Sequence, residues 1–423
     1  MTSAAAPVVL ELDESTVTAY LRAHTDLLDP TTPVDVRAVA GGPDSPEEEG
    51  FVNFVFRVRQ GDRSWIVKQS RHYLRTFELG HRLEPERNFQ EYLAFVLRAG
   101  IDESTVPRMH FVDEVNNVFV MEDLYRSDLR PLRYQLNEGV EFPNFAGQVA
   151  AFLASNHFFT SELFLEKETF RHLQQDFANL SMRAVMEDVV LTRLAVEPDG
   201  SALDHLGRSA WQDPRLRLEL VKARDVLVRK GECLIHGDLH TSNLLVDADN
   251  LRVIDMEYAF VGPFSYDLGY LLANFVSQYA AFEVNTRFDQ ARRRGFQRYL
   301  LGTIRDVLEG YFERFSRHFA ENAKPIYRET AGYLEDYLFP GVLQETIGFM
   351  AAANLHRIAN LAPFPDFDSI ADDTERLLAQ GLSVAIDEHL LRNHAGLTTP
   401  ELLVQGITAA RDAYRRTVIR RRS

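Results

Sequence analysis

The stretch His236-Gly237-Asp238-Leu239-His240-Thr241-Ser242-Asn243, followed at Asp255-Met256-Glu257 by two more acids, gathers groups that accept protons or hold cations. Three chemistries compete for it. His236, Asp238 and His240 alternate, so an extended strand would turn all three to one side, as zinc ligands stand. Zinc takes three or four ligands, mostly His or Cys, and the chain has no HExxH or CxxC to complete the set. A surface hairpin explains Asp247-Ala248-Asp249-Asn250 as a turn. It does not explain Asp255 and Glu257, which follow the apolar Leu251, Val253 and Ile254, because a buried carboxylate needs a partner or a metal. Phosphoryl transfer uses the residues more fully. In an H-x-D-x-x-x-x-N loop one carboxylate, Asp238, accepts the substrate hydroxyl's proton, and the amide of Asn243 helps hold Mg²⁺. Asp255 then reaches the metal from the end of the next strand, and Glu257 joins it on the same side if the backbone stays extended. Oxygen ligands of this kind suit Mg²⁺, not zinc.

That chemistry demands parts upstream. The phosphates of ATP need a lysine on a strand, paired with a glutamate on a nearby helix. Lys68 lies in the β-rich run Ser64-Trp65-Ile66-Val67-Lys68, and Glu91 lies on a helix expected over 85–99, stopped by Gly100. Gly50, just before the strand that begins near Asn53, offers backbone amides to phosphate, although no GxGxxG is present. The strand at 117–124 would form the hinge, with adenine against the backbone of Met121 and Glu122. Gln60-Gly61-Asp62 reads as the turn of a hairpin between two strands. From about residue 143 the pattern turns helical, so a β-rich lobe over 1–121 and a helical lobe over 122–423 are expected, with the ligand between them.

Bulk properties narrow the partners. At 423 residues the chain is long enough for two lobes. A net charge of -16 argues against a nucleic-acid surface, and a polyanionic substrate must therefore be met by local cations. The basic end RRTVIRRRS reads as a solvated helix terminus. No apolar run is long enough to span a membrane, and the acidic start does not resemble a secretory signal. A single cysteine, Cys233, rules out an internal disulfide and suits a reducing cytoplasm.

HGDLHT, the D-x-E triplet and YAFVGPFSYDLGYLLANF together resemble the 5-methylthioribose kinases, in the aminoglycoside-phosphotransferase branch of the protein-kinase-like fold. GFVNFVFRV resembles that family's glycine loop and IVKQS its lysine strand. The likeness runs over most of residues 35–385. It implies a bilobal α+β fold and ATP-dependent phosphorylation of a sugar's anomeric hydroxyl, with Asp238 as base and Asp255 and Glu257 on Mg²⁺. It also implies that Lys68 meets the nucleotide, that Asp267 braces the catalytic loop, and that the protein forms a homodimer. The family's sugar site carries adjacent arginines on a late helix. Here His356-Arg357 stands at that place, so Arg357 carries the role directly and His356 departs from it. Phe77-Glu78-Leu79-Gly80-His81 lacks a tryptophan that the family carries there, and Asn243 stands where a serine occurs. An aminoglycoside or other amino-alcohol kinase of the same fold is the alternative, for which Asp366, Asp368, Asp372 and Asp373 would supply an acidic groove.

Overall fold

The computed structural model describes residues 10–39, 53–72, 83–192, 213–359 and 365–418, so Gly50 and the segment 77–81 lie outside the described residues. After helix α1 (Val17–His24), the first part of the chain builds an antiparallel sheet of five strands. These are β1 (Asp35–Val39), β2 (Phe54–Gln60), β3 (Arg63–Gln69), β4 (Met109–Asp113) and β5 (Val118–Glu122), in the order β1-β2-β3-β5-β4. The expected hairpin joins β2 to β3 through Gly61 and Asp62, and Gly61 takes the positive φ of 57° that so short a loop requires. Phe56, Val58, Trp65, Val67, Val118 and Val120 alternate onto one face and form a core of their own with α1.

Helix α2 (Arg87–Asp102) lies between β3 and β4 and carries a buried face that includes Arg87, Glu91 and Arg98. It runs past Gly100, where a stop was expected. Glycine in a helix costs only about 1 kcal/mol, and the stop comes at Asp102, whose carboxylate accepts the Ser104 amide and starts a tighter turn.

Beyond Asp123 the chain is mainly helical. Short strand β6 (Arg130–Pro131) leads into α3 (Leu132–Asn137), then α4 (Phe145–Phe159), α5 (Lys167–Asp176), α6 (Leu180–Val185) and α7 (Pro214–Arg229). Four three-residue strands interrupt the helices: β7 (Cys233–Ile235), β8 (Leu244–Val246), β9 (Leu251–Val253) and β10 (Phe260–Gly262). β7 pairs with β10, and β6, β8 and β9 form a second small sheet. These strands frame the loop after Ile235 and the loop after Val253, which carry the acids singled out above. The helices α8 (Ser265–Val284), α9 (Gln290–Asn322), α10 (Pro325–Arg328), α11 (Phe339–Ile358), α12 (Pro365–Asp368), α13 (Asp373–Asn393) and α14 (Pro400–Thr417) complete the fold.

α8 is buried on every side, as its nearly continuous apolar sequence requires. Gly269 lets α11 press against it: a Cβ there would meet the Phe349 Cβ at 2.6 Å and the Thr346 carbonyl at 2.7 Å. The architecture is the expected α+β one, a small sheet-rich part followed by a larger helical part.

Candidate active site

The lysine strand, the glutamate helix and the D-x-E loop meet. Lys68 Nζ stands 2.8 Å from Glu91 Oε1 and also donates to Asp255 Oδ1. Burial alone would lower the Lys68 pKa, but Asp255, Glu91 and Glu257 override it and hold the amine above its ordinary range. Burial pushes the Glu91 carboxyl up to about 8, with Lys68 pulling the other way. Asp255 sits at φ +64°, a left-handed conformation that a non-glycine residue adopts only when its surroundings impose it. That turn breaks the extended run, so Asp255 and Glu257 find different partners. Glu257 Oε2 accepts from Asn53 Nδ2 at 2.8 Å and from Arg87 Nε at 3.3 Å, and its carboxylate is almost wholly buried.

The loop over 236–243 is sewn to the same segment. His236 Nε2 donates to the Ile254 carbonyl at 2.9 Å, and the Ile254 amide donates to the Asn243 carbonyl at 3.0 Å. Asp238 therefore sits one loop away from Asp255, fixed on both sides of Ile254. His236 Nδ1 accepts the Asp238 amide at 3.3 Å, which leaves neither ring nitrogen for zinc. Gly237 has φ +83°, and a Cβ there would stand 2.3 Å from the Tyr258 carbonyl, so only glycine allows this approach. Asp267, at the start of α8, accepts the amides of His236 at 2.7 Å and Gly237 at 3.0 Å, the bracing expected of it.

Asn243 Nδ2 donates to the Asp238 carbonyl at 2.9 Å, which leaves its Oδ1 as an acceptor or ligand. Asp238 itself is partly buried. Burial raises its pKa, yet His240, Arg357 and His236 more than offset this and keep the carboxyl below its usual range.

A second polar cluster is built from helices distant in sequence. Arg357, near the end of α11, points its Nη1 at Asn274 Oδ1 on α8, 3.1 Å away, and lies over the Tyr270 ring with its carbon 4.8 Å from the centroid. Burial, with the nearby charge of Asp238, pushes the Tyr270 phenol above its ordinary range. Arg133 on α3 shares the Asn274 oxygen at 3.2 Å and stands 3.6 Å from Asp366. His356 is buried beside Arg357.

Tyr270, Asn274 and Arg133 were not among the expected residues. Asp267, Tyr270 and Asn274 recur at helical spacing through an otherwise apolar helix, and that pattern would have revealed two of them. The acids considered for a cationic acceptor have other duties: Asp366 accepts from Gln278 at 2.8 Å, Asp372 caps α13 through the Glu375 amide, and Asp373 pairs with Arg376. The Asp368 side chain lies outside the described residues. At the expected hinge, Met121 pairs with Ile66, and the Glu122 amide donates to the Arg108 carbonyl at 2.9 Å.

The donors fit Mg²⁺ in one respect and a cage in none. Asp255, with a side chain 37% exposed, and Asn243 offer hard oxygens. Among the described residues no three His, Cys, Asp or Glu side chains gather as a ready-made metal site. Mg²⁺ commonly takes one or two protein oxygens and completes its shell with phosphate and water.

A model of the phosphotransferase enzyme family matches residues 46–302. The methylthioribose kinase of Geobacillus sp. (strain WCH70) is 30% identical over 372 residues, spanning 86% of this chain and 90% of that protein. Methylthioribose kinase 2 of Oryza sativa subsp. japonica is 28% identical over 386 residues, 86% of this chain and 88% of that one. Among solved structures, a choline kinase from Cryptosporidium parvum Iowa II aligns with a TM-score of 0.47 at 12% identity, over 93% of this chain and 98% of that one, too distant to bear on the acceptor.

Proposed function

We propose that this chain, which belongs to the phosphotransferase enzyme family, moves the terminal phosphoryl of ATP onto the 1-hydroxyl of 5-methylthioribose or a closely related pentose. One observation carries the reading: Lys68 reaches Asp255, and Asp255 follows the residue that is bonded twice to the Asp238 loop. A nucleotide-binding amine, a cation ligand and a base thus share one site. The family match supports phosphoryl transfer, and the two relatives support the acceptor.

Asp238, held ionised, takes the proton of the attacking hydroxyl, which Tyr270 and Arg357 help to orient. Lys68, steadied by Glu91, receives the phosphates. Asn243 and Asp255 are the oxygens that would hold Mg²⁺, with Glu257 behind them. Bound there, the cation would neutralise charge on the transferring phosphoryl group. Arg357 adds a fixed positive charge on the acceptor side. Gly50, Asn53, Met121 and Glu122 border the nucleotide in this reading, and lobes of 1–121 and 122–423 meet at the site.

The reading extends to a cytoplasmic location for a chain with one buried cysteine, and to a homodimer, which sedimentation would test. No helix among the described residues is long and apolar enough to cross a membrane.

The functional test is ADP release with methylthioribose, 5-deoxyribose, ribose and an aminoglycoside as acceptors. Turnover should be greatest with methylthioribose. Preference for the aminoglycoside would overturn the acceptor, and ADP release with none would overturn the reading.

A further inference from the structure

Arg87 has no part in the chemistry described so far, yet its guanidinium is almost completely buried and serves four partners. Nε lies 3.3 Å from Glu257 Oε2, and Nη2 donates to Asn53 Oδ1 at 2.9 Å. Nη1 donates to the carbonyls of Arg71, 3.0 Å away, and Glu84, 3.2 Å away. These groups belong to four different pieces of chain: the D-x-E loop, the entry to β2, the segment after β3, and the lead into α2. Asn53 closes the arrangement, because its Nδ2 donates to Glu257 while its Oδ1 also accepts from Ser70 Oγ at 2.8 Å. Burying an arginine in this way is costly unless every donor is used and an anion compensates the charge.

α2 shows how the position is set. Arg87, Glu91 and Arg98 fall on one buried face of the helix, at spacings of four and seven. Glu91 reaches Lys68, and Arg98 Nη2 donates to the Leu234 carbonyl at 3.2 Å, just before the catalytic loop. One rigid helix thus touches the lysine strand, the D-x-E loop and the strand that leads to Asp238.

We infer that Arg87 is a positioning residue: acting through Glu257 and Asn53, it locks the D-x-E loop to the strand entry that faces the nucleotide phosphates. The inference rests on the kinase reading. It predicts that losing Arg87 weakens nucleotide binding even without a divalent cation, because the loosened element is protein, not metal. A lysine can restore the charge beside Glu257 but cannot also reach Asn53 and two carbonyls from one planar fork.

The test measures ADP affinity in EDTA by calorimetry for wild type, Arg87→Gln, Arg87→Lys, Glu257→Gln and the double variant Arg87→Gln/Glu257→Gln, with circular dichroism to check the fold. Arg87→Gln should weaken ADP roughly tenfold, which is ~1.4 kcal/mol, and Arg87→Lys should recover part of the loss. In the Glu257→Gln background the same Arg87 change should cost less than about threefold, since the coupled partner is already gone. Folded Arg87→Gln protein that binds ADP like wild type would overturn the inference alone, as would penalties that multiply independently. Should Arg87→Gln not fold, Arg87→Lys with undiminished affinity would overturn it equally. Wild-type protein that binds ADP neither in EDTA nor with Mg²⁺ would overturn the kinase reading with it.

Discussion

The proposed nucleotide and acceptor sides of the site solve the problem of buried charge differently. On the nucleotide side, Lys68 and Arg87 face Glu91, Asp255 and Glu257, all joined by direct ion pairs. On the proposed acceptor side, Arg357 and Arg133 both donate to one neutral amide, Asn274, and Arg133 also stands 3.6 Å from Asp366. The first arrangement holds one more acid than base, which suits a region that must take up a cation together with phosphates. The second gathers two arginines on one shared amide oxygen, which suits a region where a hydroxyl is deprotonated and a phosphoryl group arrives. The difference teaches that direct ion pairs organise the loops on one side, while a neutral amide orients the arginines on the other.

Removing the base is the largest test of that contrast. Asp238→Asn should cut kcat by roughly 100- to 10,000-fold while ADP affinity stays close to wild type, because the carboxylate acts on the acceptor proton. Steady-state turnover beside calorimetric ADP titration would check it. A parallel loss of ADP binding would mean that the two sides are not separable. Arg357→Ala comes next. Losing a charged contact on the acceptor side should raise the acceptor KM about 10- to 100-fold with little change in the KM for ATP. The reverse pattern would move Arg357 to the nucleotide side. A smaller effect is expected of Tyr270→Phe, which keeps the ring beneath Arg357 and removes only the hydroxyl. A change of a few-fold in kcat/KM for the acceptor should result, on the scale of one lost hydrogen bond. An unchanged value would confine Tyr270 to packing.

The same contrast explains what could be read from residue order. Asp238, Asn243 and Asp255 come from one short segment with fixed spacing, and Lys68 and Glu91 each lie on an element with clear periodicity. Short-range patterns therefore exposed the nucleotide side and the sheet that carries it. Arg357 was legible only through the family resemblance, and Arg133 and Asn274 lie on α3 and α8, whose proximity to α11 depends on packing that no local spacing encodes. Arg87 was missed for another reason: an arginine in the first turn of a helix ordinarily reads as solvated. Glu257 shows where strand alternation stops being a guide. Strand alternation sets it beside Asp255 only in extended backbone, and the positive φ at Asp255 sends the two side chains to different partners.

The weakest expected effect lies behind the acceptor side, in a buried polar stack where α8, α11 and α13 meet. Asn354, one helical turn before Arg357, accepts from Ser277 Oγ at 2.6 Å and donates to Asp387 Oδ2 at 3.0 Å. Burial pushes the Asp387 carboxyl well above its ordinary value, and the hydrogen bond from Asn354 only partly offsets this. Because the folded pKa is raised, the folded protein keeps a proton that the unfolded chain has already released. Stability is then fully present below the unfolded value near 3.8 and falls by about 1.4 kcal/mol per pH unit until pH reaches the folded value. Asp387→Asn removes the titration while preserving the shape of the side chain. Thermal midpoints of wild type and Asp387→Asn, compared from pH 5 to pH 8, should diverge steadily as pH rises, with the variant increasingly the more stable. A difference independent of pH would show that Asp387 is ionised in the folded protein, and the stack behind Arg357 would then be held by a charge and not by neutral hydrogen bonds.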